Sequence, residues 1–276
     1  MVSGLVIVLC STLFHHGLYQ VLRLGLVRRV CLPLVRWRTG RNDLTFSEGD
    51  VLYTAELLVS FTNGVVGSIC SIIVLWQARE DVMLSRAPLL VPCTHWIAQY
   101  MLYDNYAMYN SAYCRKDIRK YPHLTTRLAV FARKKWSMIL HHFLLLGFGY
   151  ALVVYPWIRK NKGDFIIGAF FLREVWNPFQ NMAQILKQFQ MHGTTLYFLN
   201  GVSLVVVQLV VRVLNWPLVI LIYTAQYHNW DFIASFNSLY AICIVSTAMW
   251  QILEFYWFWM IVQLVAGFKN GKSKTH

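Results

Sequence analysis

Residues 136–157 read WSMILHHFLLLGFGYALVVYPW, an almost unbroken apolar run that opens directly after Arg133, Lys134 and Lys135. Its length is what a helix needs to cross the hydrocarbon of a bilayer. Two adjacent histidines, His141 and His142, stand inside it. An imidazole in hydrocarbon is unfavourable unless it faces a protein interior or a wet cavity, so the run reads as a membrane span with one polar, inward face.

The rest of the chain has the same character. With 57% apolar and 13% charged residues and a positive mean hydropathy, it does not describe a soluble globular domain. Apolar stretches of spanning length occur at 5–26, 51–77, 89–110, 136–157, 164–186, 195–226 and 238–268. The fold class expected is therefore all-α, a polytopic integral membrane protein of about seven transmembrane helices around an internal cavity. Pro217 is expected to kink the sixth span, and Asn177 with Pro178 to open the fifth locally. Residues 1–46 form a first transmembrane helix and basic loop, 47–268 the main transmembrane domain, and 269–276 a basic tail.

Orientation follows from the 25 Lys and Arg, because cytosolic loops carry the excess. Seventeen fall on one side: Arg28, Arg29, Arg36, Arg38 and Arg41, the eight basic residues from Arg115 to Lys135, Lys187, and Lys269, Lys272 and Lys274. Five fall on the other side: Arg79, Arg86, Arg159, Lys160 and Lys162. The bias places the C-terminus in the cytosol and the N-terminus across the membrane. No basic residue precedes the first apolar run, so that run reads as a retained span and not as a cleaved signal. The net charge of +13 invites a nucleic-acid partner, but its concentration at helix ends on one membrane face fits anionic headgroups instead. Six scattered cysteines without a CxxC pair indicate neither zinc nor a disulfide framework. The last five residues, KSKTH, match the KxKxx pattern that a cytosolic retrieval coat reads, which points to the endoplasmic reticulum; a basic end that only touches headgroups is the alternative.

Eight ionisable residues lie inside the spans: Glu56, Asp104, His141, His142, Arg173, Glu174, Arg212 and Glu254. They are too many and too deep to snorkel, so they are expected to converge on a shared interior, with Arg212 partnering a buried carboxylate. At a rise of about 1.5 Å per residue, the histidines lie about 10 Å beyond Lys135 and Asp104 about 16 Å from Arg115. Glu174 and Glu254 fall deeper, about 20 Å from Lys187 and 22 Å from Lys269. A polar cavity entered from the cytosolic side is the expectation. Adjacent helix positions differ by about 100°, so only one imidazole can act on a ligand while the other packs. A carboxylate such as Asp104 would fix the tautomer of that ring and raise the basicity of its free nitrogen, giving a base or nucleophile for acyl transfer to an amine or hydroxyl. Polar packing between helices is the competing reading. His15, His16 and His95 read as helix-contact or interface residues.

Around these residues the chain resembles the TLC-domain family of ceramide synthases and translocation-associated membrane proteins. The resemblance rests on Tyr103 and Asp104 within YMLYDNYAMY (100–109), on His141 and His142, and on Gly163 and Asp164 followed by Glu174. Asn200 and Gly201, and Arg212 ahead of Pro217, extend it. It covers 47–268 and looks most like the TLC domain-containing protein 3 subgroup. The resemblance implies a helical bundle of the endoplasmic reticulum enclosing a lipid or acyl-chain cavity. In ceramide synthases that cavity joins a fatty acyl-CoA to a long-chain sphingoid base, and the histidine pair is essential. Carried over, His141, His142 and Asp104 are the catalytic candidates. Glu174, Asn177, Arg212 and Glu254 are the substrate-binding candidates, no cofactor or metal is bound, and acyl-CoA is the co-substrate. One departure limits the transfer. The DxxD element of the synthases falls here on Phe171 and Glu174, so one of its two carboxylates is lost.

Two function classes follow: an acyl-CoA-dependent N-acyltransferase, or a non-catalytic protein that binds or senses membrane lipids, regulates membrane composition or escorts cargo. A seven-helix receptor is disfavoured, because the third span lacks the usual acidic and arginine pair at its end and the seventh lacks NPxxY. An iron-dependent desaturase would need several HxxHH motifs where one bare pair occurs.

Overall fold

The computed structural model describes residues 4–40, 45–115, 118–239 and 241–269, and the KSKTH motif lies outside them. Helix is the only regular structure among the described residues, as it must be where no water satisfies the backbone. The first helix, α1, runs Gly4–Val21, widens into a π-helical stretch at Leu22–Cys31 and continues as Leu32–Thr39. α2 (Glu48–Gln77) opens on a capping box in which Ser47 and Asp50 satisfy each other's backbone N–H groups. α3 (Leu90–Cys114) is followed by a short helix, α4 (Leu124–Lys134). α5 comprises Trp136–Leu144, a π-helical Leu145–Gly149 and Tyr150–Val154. α6 (Asp164–Phe171) and α7 (Trp176–Gln188) flank a 3-10 turn at Leu172–Val175, and α8 (Thr195–Val207) and α9 (Asn215–His228) flank a π-helical Gln208–Val213. α10 (Phe232–Ser238) and α11 (Ala241–Lys269) follow.

Among the described residues, four segments are long and apolar enough to cross a membrane: Gly4–Trp37, Glu48–Gln77, Trp136–Val154 and Thr195–His228. The other expected spans are helical too, but α3 carries Pro92, His95 and Asp104, and the stretch at 164–186 is broken at Leu172–Val175. The sixth span breaks three residues ahead of Pro217, at Leu214, whose N–H reaches back five residues to the Leu209 carbonyl at 2.9 Å. Pro217 then falls in the first turn of α9, where its missing N–H forfeits no helical bond. The fifth span behaves in the same way, with Pro178 in the first turn of α7 just after the break.

α2 is the axis of the bundle, packed by α3, α6, α7 and the turn between the last two. An apolar cluster of Tyr19, Leu52, Val59, Ile97 and Met101 joins α1, α2 and α3. On its other side α2 presents Gly64, where an added Cβ would lie 2.8 Å from the Pro178 ring and 2.9 Å from Asn177 Cβ. This close approach brings α7, with its polar residues, against the centre of α2.

Arg79, Arg86, Arg159, Lys160 and Lys162 lie at one end of the bundle, and most of the other basic residues at the opposite end, the basic face. There Arg23 meets Glu48 at 3.5 Å and Arg115 meets Asp50 at 3.7 Å. The opposite face is tied by loop contacts: the Val82 N–H donates to Gln226 at 3.1 Å, and Asp164 pairs with Arg159 at 2.7 Å and Arg86 at 3.5 Å. The Tyr227 hydroxyl donates to Asp81 at 2.6 Å and holds that loop carboxyl below the usual carboxylate range.

Gly64→Ala is expected to cost about 1–3 kcal/mol through overpacking, because a ring and a Cβ on α7 cannot swing aside. A fall in Tm on thermal unfolding in detergent is the readout. Gly17→Ala, with open space around the position, is expected not to lower it.

Candidate functional site

α3 and α5 bring Asp104 and His142 together. The His142 Nε2 lies 3.6 Å from Asp104 Oδ2, both side chains buried. The other Asp104 oxygen is 3.0 Å from the Tyr100 hydroxyl, one helical turn earlier on α3. That hydroxyl is also 2.7 Å from Ser60 Oγ of α2, and the Asn181 amide of α7 donates to Ser60 at 2.8 Å. The phenol has a single proton, so it donates to Ser60 or to Asp104 at any one time, while Ser60 also accepts from Asn181; the network ties α7, α2 and α3 to the carboxylate facing His142. The far ring nitrogen of His142, Nδ1, is buried with no hydrogen-bond partner among the described residues.

The second polar group centres on Glu254 of α11, which is 0% exposed. Arg212 Nη1 donates to both of its carboxylate oxygens at 3.2 Å, the Gln208 amide donates at 3.4 Å, and Arg173 approaches to 3.8 Å. Arg212 reaches onward to Asn177 Oδ1 at 3.2 Å, whose amide donates to Glu174 at 2.6 Å. All four substrate-binding candidates, Glu174, Asn177, Arg212 and Glu254, thus form one hydrogen-bonded file. The break before Pro178 turns the adjacent Arg173 and Glu174 both inward on one side, and Gln208 and Arg212, four residues apart on one helix face, meet them from the other. The arginines also lie over rings, Arg212 at 4.2 Å from Trp176 and Arg173 at 4.5 Å from Phe170.

His141 joins neither file. It points about a quarter-turn away from His142, as adjacent helix positions require, and packs on Trp250 and Trp257 of α11 with ring centroids 4.5 and 5.4 Å apart. Trp250 has a second role, as part of the wall of an apolar cavity of about 230 Å³ formed with Leu144, Leu145, Ile167, Phe170, Phe171 and neighbouring residues. The cavity lies toward the face of Arg159 and Lys162, opposite the basic face, and neither histidine lines it. This differs from the expected cavity at the histidines, and the reason is steric: Trp250 fills the space between His141 and the void. A separate polar groove of about 460 Å³ opens on the basic face between Asp50, Tyr53, Arg115, Gln184 and Lys187. Phe171, standing at the lost acidic position, is an apolar wall residue with 8% exposure.

Residues unmarked by sequence reasoning complete the site. Tyr100 could have been found from its place one turn before Asp104; Ser60 and Asn181 carry no local signal. His15, a helix-contact residue in the sequence reading, is fully buried against Trp96, Tyr100 and Tyr103. His95 meets the Tyr150 hydroxyl at 3.1 Å, joining α3 to α5. Glu56 accepts from Ser111 at 2.5 Å. No group of three or more His, Cys, Asp or Glu able to hold a metal occurs among the described residues.

The family model for the TLC domain matches residues 54–263, a stretch that contains every candidate residue of both files. No solved structure matches the chain.

Removing one partner of the buried ion group leaves an uncompensated charge, so Arg212→Met is expected to destabilise by about 3–5 kcal/mol. Combining it with Glu254→Leu is expected to recover only part of that loss, because the buried Arg173 then loses its carboxylate 3.8 Å away, read as Tm in a double-mutant cycle.

Proposed function

The chain belongs to the TLC-domain family, and on that premise we propose that it transfers acyl groups to membrane lipids, with His142 as base or nucleophile and Asp104 as its orienter. The observation that carries this reading is the buried His142–Asp104 pair, whose ring presents a partnerless Nδ1 on its other side. With Nε2–H directed at Asp104 across 3.6 Å, the lone pair resides on Nδ1. An acceptor amine at that nitrogen attacks the carbonyl of an acyl thioester. The amine N–H proton passes to Nδ1, the carbon–sulfur bond breaks, and the thiolate leaves and takes up the proton as a thiol. In the nucleophilic variant, Nδ1 first takes the acyl group and the amine then displaces it. Either way, acyl-CoA and amine become amide and free CoA.

The finer reading is N-acylation of a sphingoid base from cytosolic fatty acyl-CoA, as in ceramide synthases, in a protein of the TLC domain-containing protein 3 subgroup. The apolar cavity would take hydrocarbon, while the file from Glu174 to Glu254 would flank the polar end of the acceptor. Residence in the endoplasmic reticulum, with a lumenal N-terminus and a cytosolic C-terminus, is supported by the one-sided distribution of Lys and Arg and by the KxKxx tail. A second reading, a non-catalytic lipid binder that adjusts membrane composition or escorts cargo, is favoured by two observations: Trp250 stands between His141 and the cavity, and Phe171 replaces a carboxylate.

The test is transfer of labelled acyl chains from acyl-CoA to long-chain bases by membranes containing the protein, across a panel of chain lengths. His142→Ala and Asp104→Asn are each expected to lower the rate by about 10²–10⁴-fold, the range of a lost general base. His141→Phe, which keeps the ring against Trp250, is expected to retain most of it. No transfer by the parent protein, together with lipid that co-purifies in both parent and His142→Ala, would leave the lipid-binding reading standing in its place.

A further inference from the structure

α4 has no place in the site and is not long enough to cross a bilayer. It lies between the end of α3 at Cys114 and the start of α5 at Trp136, on the same face as Arg115. At about 100° per residue, Leu124, Leu128, Phe131 and Ala132 share an arc roughly 100° wide, while Arg133 and Lys134 lie on the other side. The protein covers only part of the apolar arc. Phe131 is buried against Met108, Ile118 and Tyr109, and Arg127 lies 5.3 Å over Tyr113. Leu124 and Leu128 remain 55% and 47% exposed. Arg133 and Lys134 are exposed, with no ion pair among the described residues.

We propose that α4 is an interfacial helix that binds the anionic leaflet, its leucines in the acyl boundary and Arg133 and Lys134 on phosphate-bearing headgroups. Three observations select a membrane surface over a protein partner. The helix is tethered at both ends to helices of the bundle, so it lies at the level where they leave the bilayer. Trp136, the first residue of α5, is 49% exposed at that same level, where indole rings settle. An apolar edge flanked by arginine and lysine is the pattern of helices that lie in the interface plane. The contact also bears on the site. Phe131 packs on Met108, one turn beyond Asp104 on α3, and Lys135 alone separates α4 from the helix carrying His142. A leaflet that seats α4 therefore braces both elements of the His142–Asp104 pair.

Hydrogen exchange of the full chain in nanodiscs tests this without reference to turnover. With one third phosphatidylserine in place of pure phosphatidylcholine, amides of 124–134 are expected to exchange about fivefold more slowly for each basic residue engaged, the factor equivalent to ~1 kcal/mol per Lys or Arg at an anionic surface. Arg133→Glu with Lys134→Glu is expected to abolish the difference, and Leu128→Ser to speed exchange in both lipids. Amides of α2 serve as the control for an intact fold. Equal exchange in the two lipids, or a lipid difference that survives the charge reversal, overturns the proposal. Slowing by soluble glycerophosphoserine added to phosphatidylcholine discs also overturns it, since it would indicate a free-anion site and no leaflet contact.

Discussion

A charge placed in a low-dielectric interior must be met by an opposite charge or by donors, and Glu254 is where this chain meets that demand most completely. Its carboxylate is shut away from solvent, and Arg212, Arg173 and Gln208 approach it from two other segments. Desolvating such a group costs several kcal/mol, which only good geometry recovers. The helices that supply the partners are therefore held in register by it. Arg212 extends the constraint through Asn177 to Glu174, so one carboxylate on α11 fixes where α7 and the π-helical turn before α9 must lie. The interruption before α7 has the same origin: adjacent positions of an uninterrupted α-helix lie about 100° apart, whereas Arg173 and Glu174 both turn inward.

The two polar files differ in what they leave open. Around Glu254 the two carboxylate oxygens are met by arginine and amide donors and aromatic rings cover the guanidinium faces, although Arg173 Nε and Nη1, Arg212 Nε and Gln208 Oε1 have no hydrogen-bond partner among the described residues. Around Asp104 a network of Asn181, Ser60 and Tyr100 reaches one carboxylate oxygen, and the other faces a histidine with a spare nitrogen. Guanidinium nitrogens can only donate, whereas an imidazole nitrogen with a lone pair offers a site for a proton or an electrophile. The proposed chemistry accordingly falls to His142 and Asp104, and the Glu254 group is the frame that positions α7, which supplies Asn181 to the Asp104 network.

Much of this is legible in the sequence because hydrocarbon permits few solutions. Apolar length gives the helices, and the scarcity of ionisable residues marks Asp104, His142, Arg212 and Glu254 without any knowledge of the fold. The 100° rule separates the two histidines before any coordinate is seen. What sequence does not reveal depends on contacts between distant segments. Ser60 and Asn181 look like ordinary polar residues until α2 and α7 meet at Gly64. The position of the cavity was hidden for a related reason: nothing in the stretch EFYWFW or in Trp250 says which ring turns inward to fill the space beside His141. Proline gave the neighbourhood of each break but not its place, because a proline in a helix is most easily accommodated just after the break, in the first turn of the helix that resumes.

Trp250 decides how the parts combine. Its indole contacts His141 on one side and an apolar void on the other, so the polar and apolar halves of the interior share one wall. A lipid substrate has the same division, with a reactive polar end and an inert tail. An interior that keeps the two environments apart until Trp250 moves would exclude water from the hydrocarbon half while the donors of the other half stay ordered. Phe170 stacks on the same indole at 5.0 Å and also lies under Arg173. Displacement of Trp250 is thereby coupled to the Glu254 group through ring contacts, not through hydrogen bonds. Displacing the wall would forfeit ring contacts and the Arg173 guanidinium 5.8 Å over the indole, a smaller penalty than breaking the buried ion group beside it.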